Sequence, residues 1–215
     1  MVSAKKVIAV RGMTYTEYRQ VLDELFAHHK TTGDNHSEAM LHYTKMNIAR
    51  MRRLDKTIKM LPETEEAIKA VDRPLRWITL TEGWCGDAAQ IIPILEKMAA
   101  LNPEISHELI LRDEHPDIMD QFLTNGARAI PLTIILDAET DQVLGHWGPR
   151  PAVAQHLVMA AKAEASAATV AEDRKAIMDV AKFEAQKWYT KDKGRAVQEE
   201  FVAVLQAALT HKVSY

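Results

Sequence analysis

One cysteine, Cys85, stands in 215 residues. It falls between an apolar run, Leu75 to Thr81, and a segment with apolar residues at helical spacing, Ile91, Ile92, Leu95 and Met98. A thiol where a strand hands over to a helix meets unpaired N–H groups and the positive end of the helix dipole, both of which favour a thiolate. Asp87 in the same turn opposes that by like-charge repulsion, although its charge suits the dipole. A single thiolate can attack a disulfide, hold a mixed disulfide with a protein or low-molecular-weight thiol, and be released by a second external thiol. A Cys–His nucleophile would need His107, His115 or His146 brought in by the fold, since no histidine neighbours Cys85 in sequence.

Two other groups of residues could carry chemistry. His28, His29, His36 and His42 lie close together, but no two are one helical turn apart, and only Glu38 and His42 have that spacing. They read as loop or surface histidines, with no metal and no cofactor expected. Lys45, Arg50, Arg52, Arg53, Lys56 and Lys59 fall on one predicted helix with Asp55 as the lone acid among them. They run round much of the helix and not along one stripe, which marks a solvated face or a surface docked on an acidic neighbour.

The elements that must position Cys85 follow from periodicity and breakers. Thr14 with Glu17 makes a capping box, flanked by Met13 and Tyr18 as a hydrophobic staple, and starts a helix that Gly33 stops. Asn35 with Glu38 marks a second start, and Leu41, Ile48, Met51, Leu54, Ile58 and Leu61 form a stripe that Pro62 ends. A short helix over about 63–71 follows. From Arg73-Pro74 strands and helices alternate: strand 75–81, helix 87–101, strand 105–112, helix 116–123, strands 132–137 and 142–147 joined by a hairpin-length turn, and a helix over about 151–163. Two further helices, about 170–188 and 195–208, follow an Ala-rich stretch; the set Ile177, Val180, Ala181, Phe183, Glu184 and Trp188 is apolar enough to dock on something, although Ala-rich helices can also be loosely attached.

With that order in place, Trp84-Cys85-Gly86-Asp87-Ala88 resembles the Trp-Cys-Gly-Pro-Cys turn of thioredoxins, and Pro93 falls where those proteins carry a proline in the same helix. Gly126-Ala127-Arg128-Ala129-Ile130-Pro131, leading into Leu132 to Leu136, is similar to the stretch whose cis-proline faces the cysteine. The resemblance covers roughly residues 75–163 and implies an α/β fold with a thioredoxin-like β-α-β-α-β-β-α core and helical N-terminal and C-terminal extensions. It divides the chain at 1–72, 73–165 and 166–215, and implies Cys85 as the catalytic residue with Trp84, Gly86, Asp87, Ile130 and Pro131 binding substrate. Two departures matter. Ala88 replaces the resolving cysteine, which excludes a dithiol cycle, and Thr79 stands where thioredoxins bury an acid. The glutathione-binding pattern of monothiol glutaredoxins and the Thr-two-residues-Cys pattern of peroxiredoxins do not match.

A chain of 24.2 kDa that is 47% hydrophobic and 27% charged has ordinary globular composition. The formal charge of −3 argues against general nucleic-acid binding. It is uneven: residues 73–165 carry 7 basic and 13 acidic residues. The first ten residues hold too few apolar side chains for a signal peptide, no membrane-spanning run exists, and a lone cysteine suits the cytoplasm. The flanking helices are expected to cover the groove partly or to join two copies of the chain. Two functions remain open: monothiol exchange through Cys85, or a non-redox binding or scaffold module using the groove beside Pro131.

Overall fold

The computed structural model describes residues 10–210. Helix α1 (Tyr15–Ala27) starts with both halves of the capping box, the Thr14 hydroxyl accepting from the Glu17 N–H and the Glu17 carboxylate from the Thr14 N–H. It buries Tyr18 and Leu22. Helix α2 (Glu38–Thr57) begins at Ser37, not at Asn35. The Asn35 side chain instead accepts the Ser37 N–H at 3.0 Å, a local turn that competes with capping. The chain turns extended at Ile58, so α2 ends well before Pro62. Pro62 opens α3 (Pro62–Lys69), a position where a missing N–H costs nothing.

Strands β1 (Leu75–Thr81), β2 (Ile105–Leu111), β3 (Leu132–Asp137) and β4 (Val143–Trp147) form one sheet in the order β2-β1-β3-β4. β1 runs parallel to β2 and antiparallel to β3, and β4 is antiparallel to β3 with a bulge at Ile135/Leu136. Helix α4 (Ala88–Ala99) connects β1 to β2 and carries Pro93 inside it. Helix α5 (Pro116–Met119) is shorter than its apolar pattern predicts, because Thr124 and Ala127 pair across a turn at Asn125-Gly126, both with positive φ. Helices α6 (Ala152–Ala167), α7 (Ala171–Asp192) and α8 (Arg195–Thr210) follow β4.

Because side chains alternate along a strand, two apolar clusters form. Ile78, Leu80, Ile134 and Leu136 join Tyr18 and Leu22 of α1, Ile48 and Met51 of α2, and Ala89 and Ile92 of α4. Trp77 and Ile135 join Ile91 and Leu95 of α4 and Val197, Phe201 and Leu205 of α8, with Leu54 and Ile58 at the side. Of the predicted stripe, Ile48, Met51, Leu54 and Ile58 are therefore core, while Leu41 and Leu61 are half-buried. Most of the basic residues of this stretch are not docked on the acidic segment, since Lys45, Arg53, Lys56 and Lys59 are exposed and Arg52 pairs with Asp23 of α1. Arg50 differs: it is half-buried, with its Nη1 3.6 Å from where a Cβ at Gly86 would lie. The expected docking of α7 fails at two positions, since Val180 and Phe183 are 62% and 64% exposed. Among the described residues no helix is long and apolar enough to cross a membrane.

Candidate functional site

The turn from β1 into α4 is held from below. Gly83 receives a hydrogen bond on its carbonyl from Asn47 of α2, and its N–H donates to Thr32. A Cβ at Gly83 would lie 2.5 Å from Leu22, so α1 packs directly on the turn. The Glu82 carbonyl accepts the Cys85 N–H at 3.0 Å. The Glu82 side chain is fully buried; one carboxylate oxygen accepts the Asp113 N–H, the other has no partner, and burial raises its pKa.

Cys85 is 8% exposed. Its thiol donates to the Ile130 carbonyl at 3.4 Å, and its sulfur accepts the Ala88 N–H at 3.5 Å. The Ile130–Pro131 peptide is cis, so the two stretches singled out in the sequence meet at this contact. Burial is the main influence on the thiol and Asp87 the second; together they outweigh the N–H groups of Ala88 and Asp87 and the Arg150 cation. The thiol is pushed up to about 12. Among the described hydrogen bonds no histidine reaches it: His107 is engaged elsewhere, and the exposed His146 ring sits 5.2 Å from that of Phe122.

The other named residues form the rim. Trp84 is half-buried under the Arg112 guanidinium, 4.9 Å above its ring, and Arg112 reaches on to the Arg128 carbonyl. Ile130 and Pro131 are both buried, and Gly148 is packed so close that a Cβ there would lie 2.3 Å from the Pro131 oxygen. The open part of this edge is Arg128 and half-buried Ala129.

Asp87 is the junction of the site. One carboxylate oxygen accepts from Arg150 Nε and Nη2 at 3.0 and 2.8 Å, and the other accepts the Tyr189 hydroxyl at 2.9 Å. Gln186, one turn earlier on α7, donates to the Gly86 carbonyl at 3.4 Å and accepts from Gln90 at 2.7 Å. Arg150, Gln186 and Tyr189 carry no motif and lie 63 to 102 residues from their partners on the turn, so nothing local in the sequence points to them. Replacing Asp87 with asparagine removes the second influence raising the thiol, so its inflection in an alkylation profile should fall; an unchanged or higher inflection would show that burial acts alone.

Beneath the turn, Thr79 is hydrogen-bonded to His107 Nε2 at 2.9 Å and to Thr133 at 2.8 Å, while His107 Nδ1 contacts Glu96 at 2.8 Å. The order hydroxyl, imidazole, carboxylate is that of a nucleophile with its base and orienting acid. Thr79 is 0% exposed and shares its hydroxyl with Thr133, so this chain of hydrogen bonds satisfies buried polar groups on the sheet.

This geometry can be set beside known proteins. A family model described as thioredoxin matches residues 33–166. No curated protein sequence matches the chain. Among solved structures, a protein of unknown function from Pseudomonas aeruginosa is similar at 18% identity and a TM-score of 0.56, over 97% of this chain and 99% of that one. An HIV epitope-scaffold is similar at 18% identity and a TM-score of 0.51, over 90% and 98%. At that identity the structures speak for the fold alone. With the family model spanning more than half of its length, including the cysteine turn and the Ile130–Pro131 pair, the chain belongs to the thioredoxin family.

Proposed function

We propose that this is a thioredoxin-fold binding module in which Cys85 serves packing, and that thiol–disulfide exchange is not its resting activity. The observation that carries the reading is the state of the thiol, which is buried, donates to the Ile130 carbonyl and is pushed up to about 12. Held so far above neutrality by burial and by Asp87, the thiol stays protonated at pH 7 and is a poor nucleophile. In this reading residues 73–165 are the thioredoxin-like domain, with helical extensions 1–72 and 166–215 around it. A protein partner meets the rim of Trp84, Arg112, Arg128 and Ala129, and a cytoplasmic setting suits the lone thiol. A second reading, monothiol exchange with a protein or low-molecular-weight disulfide, draws on the Ala88 N–H at the sulfur, a contact that favours thiolate once water reaches it.

The test is the pH profile of Cys85 alkylation by iodoacetamide on the native protein, with the site confirmed by mass spectrometry. The expected result is slow alkylation that climbs with pH without an inflection below about 8.5. An inflection below about 8 would sink the binding reading in favour of monothiol exchange.

A further inference from the structure

We propose that α7 is a displaceable cover over the cysteine turn and that Asp87 is its catch. Asp87 stands where the thioredoxin motif has proline, and the chain continues past the family-matched residues into α7 and α8. In the structure these two departures are halves of one contact. Tyr189 and Gln186 place their polar atoms on Asp87, Gly86 and Gln90.

The way α7 is held makes it removable. Of its 22 residues only Ala181, Ala185 and Tyr189 are buried, and α6, against which it packs, buries only Ala154, Ala161 and Ala165. Small side chains remove little apolar area from water, and Val180 and Phe183 face solvent. Before its last turn the hold on the body is polar, through Gln186 and the Lys182 ammonium 5.7 Å from the Tyr43 ring, contacts that water can replace, while the Tyr189 ring is buried in the second cluster and adds its hydroxyl to Asp87. Its C-terminal end is different. Trp188 packs on the second cluster, and Gly194 fits so tightly that a Cβ would lie 2.7 Å from both Ile58 and Ile94. The pinned end is the pivot and the polar length above it is what lifts.

The experiment compares the wild-type protein with the Gln186→Ala, Tyr189→Phe double variant, which removes the polar hold but keeps the aromatic ring. The expected result is at least a tenfold faster iodoacetamide reaction of Cys85 at pH 8.5, with amide protection lost in residues 171–186 and kept in β1. An unchanged rate overturns the proposal, as does a faster rate accompanied by loss of protection in β1, which is global unfolding. If the double variant does not fold, native-state hydrogen exchange of the wild type decides: opening of residues 171–186 ahead of β1 supports the cover, and exchange only together with β1 overturns it. The comparison is a ratio of rates, so a wild-type inflection below pH 8 would overturn the binding reading and leave this test intact.

Discussion

Gly148→Ala is expected to lower folding stability by about 3 kcal/mol or more, far beyond an average surface change. Gly148 has φ +139°, a conformation that residues with a Cβ rarely adopt. Its Cβ would also meet the Pro131 oxygen at 2.3 Å and the Leu132 Cα at 3.2 Å. Both are backbone atoms next to β3, where Leu132 and Thr133 are 1% exposed, so neither can step aside as a flexible side chain would. The displaced segment is the one whose Ile130 carbonyl accepts the Cys85 thiol, and alkylation should therefore quicken as stability falls. Gly126→Ala is the control: φ is +75° but nothing lies within 4 Å of its Cβ, so only the left-handed backbone is penalised, by about 1 kcal/mol. Urea unfolding of the two variants measures the difference, and equal midpoints would show that the Pro131 contact is not rigid.

Trp77→Ala is expected to cost about 3–5 kcal/mol, the range for emptying a large buried aromatic site. Trp77 is fully buried on β1, and its ring meets Phe201 of α8 edge to face at 4.7 Å. The vacancy would open between the sheet and the last helix, so α8 should lose amide protection first. Trp77→Phe should cost much less than the alanine change, because the indole N–H has no hydrogen-bond partner and phenylalanine removes that orphaned donor along with part of the volume. Equal losses for the two variants would show that the N–H has a partner after all.

How far the fold could be read from sequence depended on whether the deciding interaction was local. β1 and β3 have the bounds expected of them, since each is an apolar run framed by proline and turn residues. The capping box at Thr14 and Glu17 formed because its partners lie within one turn. Pro62 reads equally well as a stop or a start, because a proline is tolerated both after one helix and at the head of the next, and in the structure it is the start. Val180 and Phe183 read as docking residues because apolar content marks what could be buried, while the stretch of α7 that carries them buries only Ala181 and Ala185. Within the site, Cys85 and Pro131 were legible through family resemblance. Charge repulsion from Asp87 was foreseen, but its role as acceptor for Arg150 and Tyr189 was not, because those contacts exist only once β4, α6 and α7 have been laid down.

The anchoring of α7 also sets the terms on which anything else could occupy the turn. Its pinned end leads straight into α8, whose Val197, Phe201 and Leu205 are buried against the sheet, and its other end returns through α6 to Arg150. A segment tied down on both sides acts as an intramolecular competitor, present at the turn at an effective concentration on the order of millimolar or above whatever the protein concentration. Dilution cannot release it, and reclosure after each opening is a first-order event. A ligand for the turn would have its apparent affinity reduced by the fraction of time the segment is away, so weak polar contacts, joined to a tether, discriminate more sharply than their individual strengths would allow.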